Sequence, residues 1–158
     1  GRYRFTKLDP DRNAFFEGME TRKQTLDGGV ELRLRGRWGE ANANYLTDTL
    51  NRHKGQSAEI SYRYTFDRGR FSFSPFITWA WNDSKLTNYY YGVSETEALA
   101  DRPAYSPGES QWLGFGMNTT WWLSDRIQFF ANVGFNGVDT VVSDGDKLNT
   151  AEIGIQYQ

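Results

Sequence analysis

Two runs of strict two-residue alternation, joined by a tight turn, constrain this chain more than anything else in it. Leu113, Phe115, Met117, Thr119, Trp121 and Leu123 alternate with Gly114, Gly116, Asn118 and Thr120. After Ser124-Asp125-Arg126, Ile127, Phe129, Ala131, Val133 and Phe135 alternate with Gln128, Asn132, Gly134 and Asn136. Successive side chains of a strand point to opposite faces, so each run has one apolar face and one small, polar face. A hairpin that crosses a membrane needs this division: apolar groups toward lipid, compact polar groups toward a lumen. The aromatic residues gather toward the strand ends, where amphipathic rings suit the lipid–water boundary.

The same alternation recurs along the chain. Tyr3 and Phe5 oppose Arg2, Arg4 and Thr6; Leu26, Val30, Leu32, Leu34 and Trp38 oppose Glu31, Arg33, Arg35 and Arg37. Ala41, Ala43, Tyr45 and Thr47 oppose Asn42, Asn44 and Asp48, and Ala58, Ile60, Tyr62, Tyr64 and Phe66 oppose Ser57, Glu59, Ser61, Arg63 and Thr65. Phe71, Phe73, Ile77, Trp79 and Trp81 oppose Ser72, Ser74, Thr78 and Asn82, and Ala151, Ile153, Ile155 and Tyr157 oppose Thr150, Glu152, Gly154 and Gln156. The pattern predicts strands at 1–6, 24–38, 41–50, 56–66, 71–83, 110–123, 126–137 and 148–158. Their connections alternate between long (7–23, 51–55, 84–109, 138–147) and short (39–40, 67–70, 124–125). Short periplasmic turns and longer outer loops define an all-β, antiparallel, up-and-down transmembrane β-barrel with about eight strands visible.

A soluble barrel also alternates, with its apolar row pointing inward and lysine and glutamate common on the wetted face. Here all the lysines, Lys7, Lys23, Lys54, Lys85 and Lys147, fall in predicted loops or at their edges, which favours the membrane form. A mean hydropathy of -0.71 fits a barrel, because only alternate strand residues meet lipid. No run approaches the roughly 18 apolar residues of a membrane-crossing helix. A net charge of -2 gives no footing for nucleic acid, and the absence of cysteine removes disulfides and thiolate chemistry.

Four places on the chain invite a functional reading. Glu31, Arg33, Arg35, Arg37, Glu59, Arg63 and Glu152 fall on lumen rows and form a candidate charge network. It reads either as a salt-bridged plug or as a positively lined path for anionic solutes with Arg35 and Arg37 at its periplasmic mouth. His53, the only histidine, has Ser57 after it and Asp48 before it. No strand spacing aligns these as nucleophile and base, so it reads as a solvated loop residue and the chain as no enzyme. Without cysteine or a second histidine no metal or cofactor is expected, and Asp139, Asp144 and Asp146 read as a solvated loop cluster rather than a site for calcium or for cations bridging lipopolysaccharide. Tyr89, Tyr90, Tyr91, Gly92 and Tyr105 lie in a loop too apolar and stiff to flap in water. Either Tyr89 and Tyr91 prolong the strand above the aromatic girdle, or the loop is a folded lid or recognition surface.

Asn88-Tyr89-Tyr90-Tyr91-Gly92-Val93-Ser94, followed by Arg102-Pro103-Ala104-Tyr105-Ser106-Pro107-Gly108, resembles the signature of the MipA/OmpV family of outer-membrane proteins. Arg2-Tyr3-Arg4-Phe5, then Phe16-Glu17-Gly18-Met19-Glu20 with Thr25-Leu26, is similar to that family's earlier strand–loop–strand. Family members are longer at the N-terminus, so the resemblance implies that the chain corresponds to the C-terminal part of a larger barrel of ten to twelve strands. A first strand of about six residues, where a crossing needs about nine to eleven, supports the same expectation. So does an ending on Gln158 rather than an aromatic residue, and the lack of an apolar leader before Gly1.

The resemblance further implies integral residence in the bacterial outer membrane, with lipid and lipopolysaccharide around it. It also implies a non-enzymatic scaffold linked to a periplasmic lytic transglycosylase and a murein synthase, in a family also connected with adhesion, osmotic response and antibiotic uptake. Turns as short as Gly39-Glu40 and Ser124-Asp125 offer far less than the roughly 800 Å² per partner of a stable interface. The alternative is a small-solute channel or receptor gated by the 84–109 loop.

Overall fold

The computed structural model describes residues 1–4, 17–139 and 149–157. One antiparallel sheet holds β1 (Arg2–Arg4), β2 (Thr25–Gly36), β3 (Gly39–Asp48), β4 (Gln56–Arg63), β5 (Phe66–Arg68), β6 (Phe71–Asn82), β7 (Ser110–Trp122), β8 (Ile127–Asp139) and β9 (Asn149–Tyr157). The order is β1-β2-β3-β4-β6-β7-β8-β9, with β5 also on β6. Each strand pairs with its sequence neighbour, the up-and-down topology that the connection lengths imply. Among the described residues the sheet is not closed, since β1 and β9 are not paired with each other.

Exposure decides which face meets lipid. The outward row is bare: Val30, Ile153 and Ile155 are each 72% exposed, and Leu32, Phe115 and Ile60 more than half. Among the described residues, the buried hydrophobic side chains are Leu46, Ala80 and Leu86. A water-soluble domain with its apolar groups outside and its polar groups inside would lack a driving force to fold. The arrangement makes sense only with hydrocarbon around it.

The inner face is layered by register. Arg35, Glu40, Arg63, Phe76, Gly116 and Gly134 stand in one row across six strands, and Arg33, Asn42, Ser61, Thr78 and Gly114 in the next. Phe76 and Phe130 each face a glycine on the next strand, Gly116 and Gly154. A Cβ on Gly116 would lie 2.3 Å from the Val133 carbonyl oxygen and 2.7 Å from Phe76 Cζ, whereas one on Gly154 would meet only the Phe130 ring. Gly116→Ala is therefore expected to cost about 1–3 kcal/mol in vesicle-based unfolding titrations, and Gly154→Ala less, because a ring can swing and a backbone carbonyl cannot.

Three boundaries differ from expectation, each for a local reason. The β2–β3 turn is Arg37-Trp38, not Gly39-Glu40, since Gly36 pairs with Gly39. Trp38 there stacks on Tyr62, rings 6.4 Å apart and 10° from parallel, and the Tyr62 hydroxyl donates to the Trp38 carbonyl. Arg37 accordingly leaves the strand face on which the sequence placed it. The strand expected at 56–66 is split into β4 and β5 although both keep one register on β6, Arg63 on Phe76 and Phe66 on Phe73. Pro75, opposite the gap, has no N–H to give; its carbonyl still accepts the Tyr64 N–H at 3.2 Å. The hairpin then extends to Arg68 and turns at Gly69-Arg70, not over 67–70.

The fourth difference is a helix, α1 (Ser84–Tyr91), where the sequence suggested either a prolonged strand or an irregular lid. Asp83 starts it: its side chain accepts the Leu86 N–H at 2.9 Å, the usual N-cap contact. Tyr89 and Tyr91 do not continue β6. The acidic cluster Asp139, Asp144 and Asp146 lies outside the residues whose side chains are described.

Candidate functional site

Beneath α1, at the outer end of the inner face, lies a buried polar cluster. Asp27 follows the same inward parity on β2 as Glu31 and Arg33 and is 1% exposed. Its Oδ2 accepts from Arg4 Nε at 2.6 Å, and its Oδ1 lies 2.9 Å from His53 Nε2. His53, in the 51–55 loop, is 5% exposed. The expectation of a solvated histidine is overturned: the loop is short enough, with Asn51 and Lys54 both at φ 54, to turn the ring inward onto Asp27.

The Gly55 N–H donates to His53 Nδ1 at 3.0 Å, so Nδ1 is the acceptor and the proton sits on Nε2, facing Asp27. Ser57, 4% exposed, takes a bond from Arg4 Nη2 at 3.3 Å. Histidine, serine and aspartate are thus neighbours without forming a nucleophile–base pair, for both ring nitrogens are engaged elsewhere. Asp27, Asp48 and His53 each bring one ligand-type atom within 4.8 Å of the others. Asp48, however, spends its two oxygens on the Leu50 and Lys54 N–H groups, and Arg4 holds the far oxygen of Asp27. A cation there would displace bonds already made and meet a guanidinium, so the donor set fits a closed hydrogen-bond network better than a metal cage.

The 84–109 segment roofs this cluster. Tyr89 and Tyr90 pack edge to face, ring centroids 5.0 Å apart and each about 6 Å from the His53 ring. The Tyr90 hydroxyl bonds Thr25 Oγ1 at 2.8 Å, and burial pushes that phenol above its ordinary pKa. The Tyr89 hydroxyl accepts the Lys23 N–H at 2.8 Å. Beyond α1, Val93 pairs with Tyr105 and Leu99 with Arg102 as isolated bridges, so the loop has internal order. Tyr91 is 64% exposed and Gly92 buried. The five candidate recognition residues therefore divide: Tyr89, Tyr90 and Gly92 serve the roof, Tyr105 is half-buried and bridges to Val93 within it, and Tyr91 lies on its outer surface.

One ion pair ties the roof to the preceding outer segment. Arg22 Nη1 and Nη2 reach Glu97 Oε1 and Oε2 at 2.8 and 3.0 Å, a two-pronged contact with both side chains buried. Glu97 also accepts the Glu20 N–H and, through Oε2, the Ser94 N–H and hydroxyl. The Arg22 guanidinium above all, helped by the backbone donors, holds the Glu97 carboxyl at a pKa of about 2.

The lumen charges do not form one network. Arg33 pairs with Glu31 at 2.9 Å, Arg35 with Glu40 at 3.4 Å, and Arg2 with Glu59 at 3.3 Å. Arg63 stands 6.0 Å over the Phe76 ring, Glu152 accepts from Asn132 Nδ2 at 3.4 Å, and Arg37 is exposed in its turn. Arg4, Asp27, Arg22 and Glu97 went unnoticed in the sequence as site residues. Parity would have found the first two, but nothing periodic marks the last two.

A family model described as "MltA-interacting protein MipA" matches residues 1–145. OmpV of Vibrio cholerae is 30% identical over 143 residues, covering 90% of this chain and 56% of that protein, and Omp26La of Vibrio anguillarum is 27% identical over the same coverage. The MltA-interacting protein of Escherichia coli is 28% identical over 93 residues, 58% of this chain and 38% of that protein. The chain thus spans a little over half the length of the first two relatives. No solved structure matches it.

Proposed function

Since the chain belongs to the MltA-interacting protein MipA family, whose relatives are outer-membrane proteins, we propose that it works there as a non-enzymatic interaction scaffold for murein-remodelling enzymes. The family match over residues 1–145 carries the reading, because one relative is named for its interaction with MltA. The geometry is compatible with it: the His53 cluster is a self-satisfied brace rather than a catalytic pair. The outward row takes lipid acyl chains, and the two free sheet edges are met by further strands of a barrel of about ten to twelve.

The inner turns are short, so the partner surface they supply is small and the expected affinity is micromolar or weaker. Surface plasmon resonance of the full-length protein against a purified MltA-type transglycosylase should give saturable, fast-dissociating binding. Absence of saturable binding up to about 1 mM would discard the scaffold reading.

The roof favours one second reading, a solute channel gated by residues 84–109. Its mark would be single-channel conductance of the full-length protein in planar bilayers that rises when the Arg22–Glu97 tie is removed; a silent bilayer in both states rules it out.

A further inference from the structure

At the periplasmic lip of the inner face, the register brings three arginines around one carboxylate. Glu40 on β3 pairs with Arg35 of β2 on one side and Arg63 of β4 on the other. Only the first is an ion pair at 3.4 Å, with the Arg35 side chain 82% exposed. Arg37, brought to the lip by the shifted turn, completes a recess of about 180 Å³ that Thr65 and Ser74 also line. Their hydroxyls are 2.9 Å apart, so at most one proton bonds between them and the other is free to be donated. Among the described residues that line the recess, Glu40 is the one acidic side chain against three guanidinium groups.

We propose that this recess binds an oxyanion, a phosphate or a carboxylate, presented from the periplasm. Guanidinium forks match both groups with paired N–H donors and are less strongly hydrated than ammonium, so three of them make a selective anion seat. The volume equals that of about six waters, enough for one oxyanion with part of its hydration. A sheet row that sets two arginines against one glutamate gains little stability from the second, since exposed pairs are screened by solvent. A surplus of cations held in one concave spot is better explained by a ligand than by folding. The inference goes beyond the scaffold reading and stands without it.

Two sources carry this chemistry at the periplasmic face: phosphate groups, and the carboxylates of murein stem peptides. The test titrates full-length protein, folded in a zwitterionic detergent, with inorganic phosphate and separately with the tripeptide L-Ala-γ-D-Glu-diaminopimelate, following arginine Nε–Hε resonances. Saturable shifts in the Arg35, Arg37 and Arg63 signals with either probe are expected, and the tighter probe identifies the source. Arg35→Gln and Arg63→Gln should each weaken binding about tenfold, while Glu40→Gln, which removes the internal competitor, should tighten it several-fold; raising salt should weaken binding in all. No saturation with either probe, or affinities indifferent to all three substitutions in proteins that still fold, overturns the proposal.

Discussion

Asp27→Ala is expected to remove about 3–5 kcal/mol of folding free energy in urea titrations of vesicle-embedded full-length protein. The carboxylate is buried beside the Arg4 guanidinium and the His53 Nε2 proton, so its removal leaves a partly buried cation and a buried N–H without their acceptor. The penalty belongs mostly to the groups left behind. Adding Arg4→Leu to Asp27→Ala should therefore recover part of the loss, a non-additivity that a double-mutant cycle reads directly. A cost below about 1 kcal/mol for the single change would show that Asp27 is no brace.

Glu97→Gln is expected to release the roof. The two-pronged pair with Arg22 is buried, and breaking one partner of such a pair costs about 3–5 kcal/mol, or more than a hundredfold in the opening equilibrium. Amide exchange across residues 84–109 should quicken by that order while β7 and β8 stay protected. The same pair gives the roof a defined acid response. Glu97 titrates at about 2 when folded against an ordinary 4.5, so the bound form favours the ionised carboxyl. Its contribution is complete above pH 4.5 and is lost as the pH falls from there toward 2. Loop exchange in the parent protein should accelerate over that window, and in Glu97→Gln it should be fast throughout. A parent loop equally protected at pH 3 and pH 6 would contradict the assignment.

The barrel wall was legible in the sequence because membrane strands write their environment into parity. Leu32 and Arg33, or Ile60 and Ser61, are assigned to lipid or lumen by position alone, and a one-residue slip would reverse every assignment. Boundaries escaped where one side chain overrode the period: Trp38 turning onto Tyr62, Pro75 withholding an N–H from the ladder. The site was less readable. His53 looks solvated in sequence because a five-residue loop carries no period, and its burial depends on Asp27, 26 residues away. Arg22 and Glu97, separated by 75 residues, meet only because α1 and its bridges fold back over the mouth. Parity reports which face a residue occupies, and it is silent on what lies across the opening.

Gly55, whose N–H fixes the histidine tautomer, also sits where a Cβ would fall 2.5 Å from both Asp83 Oδ1 and the Leu86 nitrogen, at the first turn of α1. Outer loops of barrels ordinarily drift apart in length and composition with little consequence for the wall. Here the five-residue loop and the long one share a single van der Waals seam, so neither can lengthen alone. In family members that keep the roof, the two loops should change together, as one inherited unit, and a graft exchanging only one of them should fail to seat.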